Sequence, residues 1–113
     1  MAVIGGTQYL AKLATALDDS PGLLIKAGQG VLHGWSLQNG AAAATYVQVF
    51  DAAALANVTL GTTTPSFVIC MAASEDSNIV GADWAFTLGC VAFSTTSATG
   101  STGATTNGSF FYA

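Results

Sequence analysis

Between residues 23 and 94 short apolar runs alternate with turn residues. Leu23-Leu24-Ile25 leads to Gly28-Gln29-Gly30, and the run from Val31 to Leu37 is closed by Asn39-Gly40, a strong turn pair. Thr45–Asp51 crowds β-branched and aromatic residues, with Tyr46, Gln48 and Phe50 alternating against Val47, Val49 and Asp51. Residues 57–61, 65–71, 82–88 and 89–94 continue the series, and 74–78 (Ser-Glu-Asp-Ser-Asn) reads as a solvated loop. Strands at this spacing, without helices long enough to join parallel strands, predict an all-β chain: a single antiparallel β-sandwich, jelly-roll-like, over residues 23–113. The alanine runs 41–44 and 52–56 are too short to nucleate helices in water and read as close-packed connections.

The two flanks differ from this body. In residues 1–22 the spacing Tyr9, Leu10, Leu13, Ala14, Leu17 puts apolar groups on one helical face, and Asp18-Asp19-Ser20-Pro21-Gly22 stops the pattern. A helix so short needs a surface to lie on, so the segment reads as an N-terminal arm ordered against a neighbour or its own sheet, or else as a first edge strand. Residues 94–108 hold only small and polar side chains, the composition of a loop. Phe110, Phe111 and Tyr112 follow, and three consecutive aromatics must pack, in the chain's own sheet or across a subunit boundary. Ile4, Tyr9, Leu10, Leu13, Leu17, Phe110, Phe111 and Tyr112 are therefore the candidate protein-contact residues.

Charge sharpens this picture. Of 113 residues, 57 are Ala, Gly, Ser or Thr and only eight are charged, with net charge −4. A domain of this mass exposes about 5,700 Å², which leaves one charge per roughly 700 Å² and implies that part of the surface faces protein. Lys12 and Lys26 are the only cations, too few to hold a phosphate backbone, so nucleic acid is excluded as a partner. Apolar runs are broken too early to span a bilayer, and the first residues lack an export pattern, so assembly in a cytoplasm without a membrane partner is expected.

Little in the sequence suggests chemistry, and no cofactor is expected. His33 has Ser36 nearby and Asp51 or Asp83 elsewhere in no known nucleophile pattern, so a structural histidine and no enzyme are the expectation. The pairs Asp18-Asp19 and Glu75-Asp76 lack calcium-loop spacing, and Gly28-Gln29-Gly30 lacks the third glycine of a phosphate loop. Cys70 and Cys90 have no metal spacing and read as buried apolar residues, or a cross-strand disulfide. Trp35, Tyr46, Phe50, Phe67, Trp84, Phe86 and Phe93 read as core before a sugar platform.

Residues 25–101 also carry a resemblance. Leu32-His33 on a first strand, Asn39-Gly40, Tyr46-Val47-Gln48-Val49-Phe50-Asp51, Val58-Thr59-Leu60-Gly61, Pro65 and Gly89-Cys90, then Ala92, Ser94-Thr95-Thr96 and Thr99-Gly100, resemble small virion proteins of tailed bacteriophages. The long Ser/Thr/Gly stretch at 94–108 departs from that pattern. The resemblance implies a β-sandwich in the virion: a capsid decoration (cement) protein that binds major capsid protein or other virion subunits, forms a homotrimer and bridges subunits with a terminal arm. The other role it implies is a tail or head-fibre module that binds a receptor or glycan.

Overall fold

The computed structural model describes residues 2–4 and 7–113, with side chains described from Tyr9 onward. Among these residues nine strands form two antiparallel sheets packed face to face: β1 (Ala2–Ile4), β2 (Thr7–Leu17), β3 (Leu23–Ala27), β4 (Gly30–Gln38), β5 (Thr45–Asp51), β6 (Phe67–Met71), β7 (Asp76–Phe86), β8 (Gly89–Thr95) and β9 (Thr106–Tyr112). The larger sheet has the order β1-β2-β9-β4-β7 and the smaller β3-β8-β5-β6. The expected all-β sandwich is what the chain forms.

Alternation along each strand decides which side chains meet between the sheets. Residues paired across an antiparallel ladder share a face, so the pairs Trp35↔Phe110 and Leu32↔Tyr112 point the same way as Leu37. These meet Val47, Val49, Ile69, Met71, Cys90 and Ala92 of the small sheet in one core, with Ala14, Leu17, Ile25 and Phe86. Phe67 of β6 reaches across the layers to lie 5.7 Å from Trp35 and 5.0 Å from Trp84, with Trp84 in turn 5.6 Å from Phe86. Such aromatic contacts add about 0.5–1.5 kcal/mol each beyond burial. The expected assignment of these rings to the core holds, with Trp35 buried and Trp84 half-buried.

Several local expectations are corrected. The helical spacing from Tyr9 to Leu17 is not a helix; the segment takes the edge-strand form, and β2 pairs with β9 from Leu10↔Tyr112 to Leu17↔Thr106. A register shift between Ala14 and Leu17 explains the last step of the misleading pattern, because it returns Leu17 to the core side that Ala14 faces, while Leu10 and Leu13 point to opposite faces. Residues 57–61 form no strand: a 3-10 turn, Leu55–Asn57, and further turns occupy this stretch. The solvated loop expected at 74–78 ends at Glu75, and β7 begins at Asp76 as an edge strand open on both faces. Nor is 94–108 loop throughout. Ser94 and Thr95 end β8, Thr106 starts β9, and the buried Ser94 and Thr106 hydroxyls lie 2.8 Å apart.

Asn39 shows why its turn signal does not make a hairpin. β4 and β5 lie in different sheets, and the buried Asn39 side chain holds the crossing. Its Nδ2 donates to the carbonyls of Ala43 and Ala72, while Oδ1 accepts from the Ala41 N–H and the Thr45 hydroxyl. Every side-chain function is satisfied, as a buried amide requires.

Candidate interaction face

The two sheets turn different outward faces to their surroundings. On the small sheet the outward side chains Phe50, Val91 and Phe93 are buried beneath Leu55, Val58 and Leu60, with Leu24 at the margin. Fully buried Gln48, beside them on β5, donates through Nε2 to the Thr95 hydroxyl at 2.8 Å and the Gly100 carbonyl at 3.0 Å, tying down the loop after β8. The β5–β6 connection thus closes a second, smaller apolar core on this face.

The outward face of the large sheet is open. The pairs Leu13↔Ser109, Ala11↔Phe111, Gly34↔Phe111, Gly34↔Val80 and Ser36↔Asn78 line it. Leu13 is 67% exposed and Val80 63% exposed, with Phe111 half-buried between them. Gly34 lets β4 and β7 approach here, since a Cβ at that position would stand 2.0 Å from the Ile79 carbonyl oxygen. Most of its polar positions are Ser, Asn and Gln; one carboxylate, Asp76, shares the face at its end, paired with Gln38, so the central strip can be covered by protein without desolvating an ion.

One polar cluster borders the face. His33 is the extra residue where β4 shifts register against both neighbours, and Gly81, Ala82 and Asp83 bulge opposite it on β7. Its Nδ1 lies 2.6 Å from Asp83 Oδ1, and Tyr9 stacks on the imidazole with ring centroids 4.0 Å apart. The Ser36 hydroxyl donates to Asn78 instead, and Asp51 lies in the other sheet. The three groups weighed with His33 as catalytic partners are therefore not assembled into one nucleophile site.

Asp51 has a different task. Its carboxylate accepts from the N–H groups of Thr87, Leu88 and Gly89 and from the Thr87 hydroxyl, clamping the β7–β8 turn onto the end of β5. Burial works against its charge, but these donors outweigh burial and hold the carboxyl below its ordinary value. The adjoining cavity of about 360 Å³, lined by Phe50, Thr63, Ser66 and Leu88, thus meets an acid already engaged with backbone. Near the end of β2 the Asp19 N–H donates to Asp18 and lowers that carboxyl, while contact with Asp18 raises Asp19. Among the described residues no group of three or more His, Cys, Asp or Glu gathers as for a metal ion, and no helix is long and apolar enough to cross a membrane.

The eight candidate contact residues separate by burial. Leu10 and Leu13 are exposed, Phe111 and Tyr112 half-buried, and Tyr9, Leu17 and Phe110 lie inside the fold. The side chain of Ile4 is outside the described residues. Val80, unnoticed in the sequence, joins Leu13 and Phe111 because β9 and β4 bring them onto one face. The cysteines face opposite sides of the small sheet, unbonded: Cys90 is buried, its thiol pushed up to about 12 first by burial and then by Asp51, whereas Cys70 is exposed, contrary to expectation. Compared with known proteins, the chain matches no family model, no curated protein and no solved structure.

Proposed function

We propose that the chain is a structural virion protein, a capsid decoration protein that binds the outside of a phage head and stabilises the shell. The observation that carries this reading is the open, charge-poor outward face of the large sheet, with Leu13, Phe111 and Val80 across β2, β9 and β7. Burying such a face against another subunit contributes about 25 cal/mol per Å² of apolar area. The strand order lends support. With β1 set aside, β2-β9-β4-β7 faces β3-β8-β5-β6, and every connection after β2 except β5–β6 crosses between sheets, the winding of a jelly roll. That architecture serves viral capsids and lectins alike, so the face and the phage resemblance carry the functional choice. The glycan-binding reading needs an exposed tryptophan, whereas Trp35 is buried and Trp84 half-buried against Phe67.

Gold-labelled antibody against the purified chain, applied to phage particles from cells that produce it, tests the proposal. Label over the head is expected, together with greater heat resistance of heads that carry the chain than of heads that lack it. Label at the tail or fibre tips would favour the fibre reading, and particles without the chain would overturn both.

A further inference from the structure

The chain has two cations, and the topology places both on sheet edges. β3 is an edge strand of the small sheet and carries Lys26. In the large sheet β1 covers β2 only at Thr7–Tyr9, so among the described residues one side of β2 is open from Leu10 onward, with Lys12 in that stretch.

Both lysines also occupy inward-facing positions. Lys12 pairs with Phe110 and Lys26 with Cys90, two fully buried residues of the central core, so each lysine side chain starts toward the space between the sheets. Both are half-buried, and the Lys26 stem lies low enough that a Cβ on Gly30 would stand 3.0 Å from its Cδ. The stems cover the rim of the core and the ammonium groups emerge past the edge. Among the described residues the one basic side chain in contact with a carboxylate is His33, on Asp83, so neither ammonium has a carboxylate partner.

The remaining edges are blunted in other ways. β1 has three residues and β6 five, while β7 is broken by its bulge, with Gly81 and Asp83 in the left-handed region. Short strands, bulges and inward-pointing charges are the known means of preventing sheets from pairing edge to edge.

We infer that Lys12 and Lys26 are edge guards that prevent the two sheets from extending into further copies of this chain. Edge-to-edge joining would continue the sandwich across two molecules and enclose an inward-facing ammonium between the joined layers without a counter-charge, which is strongly unfavourable. The inference does not depend on the virion reading.

The test compares the full chain with the double variant Lys12→Val/Lys26→Val by light scattering over a hundredfold concentration range, with circular dichroism to verify the fold. The double variant is expected to grow with concentration to about twice the parent mass or more, and Lys12→Arg/Lys26→Arg to behave as the parent. A variant that keeps Lys26 but moves the other charge to the opposite side of β2, Lys12→Val/Thr15→Lys, preserves net charge and is also expected to grow. If the valine variant proves unfolded, Lys12→Gln/Lys26→Gln replaces it, with growth expected again. Parent-like mass in the folded double variant, or in the charge-moved variant, would overturn the inference.

Discussion

The outward faces of the two sheets have the same geometric problem and opposite solutions. On the small sheet Phe50, Val91 and Phe93 lie under the chain's own turns, with Leu55, Val58 and Leu60 as a lid. On the large sheet Leu13, Val80 and Phe111 sit among Ser36, Ser109, Asn78 and Gly34 with no comparable lid. The difference lies in the connections, since the 15-residue segment between β5 and β6 folds over one face and leaves none of its length for the other. Large aromatics can point outward where the chain returns to bury them. Where it does not, small hydroxyl and amide side chains separate a few apolar ones, a surface that tolerates water and is easily covered by protein.

Three variants probe this contrast. Phe50→Ala, beneath the lid, is expected to cost about 3–5 kcal/mol of folding stability, measured by urea unfolding; a cost under about 1 kcal/mol would mean that the lid is only loosely seated. Asp51→Asn at the margin of the covered face is expected to cost about 1–2 kcal/mol at neutral pH, and its effect should depend on pH. The Asp51 carboxyl sits below its ordinary value of 3.8 in the folded chain. Its contribution is therefore complete above 3.8 and lost as the pH falls through the lower folded-state value. Urea midpoints from pH 7 to pH 3 should converge for parent and variant at the acid end, and parallel curves would count against the clamp. The smallest effect is expected on the open face: Leu13→Ser with Val80→Ser should change stability by no more than about 0.5 kcal/mol each, and on the proposed decoration role it should weaken attachment to phage heads in a pelleting assay. A large loss of stability there would show that the face is already part of the core.

Strands rich in β-branched and aromatic residues were legible from composition and alternation even where, as in β5, both faces are buried. Thr45–Asp51 is an example: its expected and observed limits coincide. β7 was legible only in its second half, because an edge strand open on both faces shows no alternation, and Ser77 and Asn78 read as loop. The helical spacing in β2 misled because apolar residues lie on both faces of the strand, Leu10 inward and Leu13 outward, and a bulge then returns Leu17 to the core side. Residues 57–61 read as a strand from Val58 and Leu60, whose burial comes from plugging a face rather than joining a ladder. Leu10 and Leu13 stood out as contact residues from their own segment, but Val80 did not. Its place on the same face as Leu13 depends on β9 inserting between β2 and β4, a pairing over long sequence distance that local pattern does not encode.

That insertion also bears on the order in which the molecule folds. β9 occupies the middle of the large sheet, and the contact Leu10↔Tyr112 closes a loop of about a hundred residues. β2 and β4 have no ladder with each other, so until β9 arrives the large sheet is two separate pieces, β1-β2 and β4-β7, and Phe110 has no core to enter. Contacts of such high order slow the search for the native state. The small sheet, whose β5–β6 pair joins strands near in sequence, can assemble first and present Val47, Val49 and Ile69 as the floor on which the late strand settles. During that interval the slot between β2 and β4 accepts any strand of the right pattern, including the β9 of a second molecule, so crowding during refolding should favour exchanged pairs that dilution from denaturant avoids.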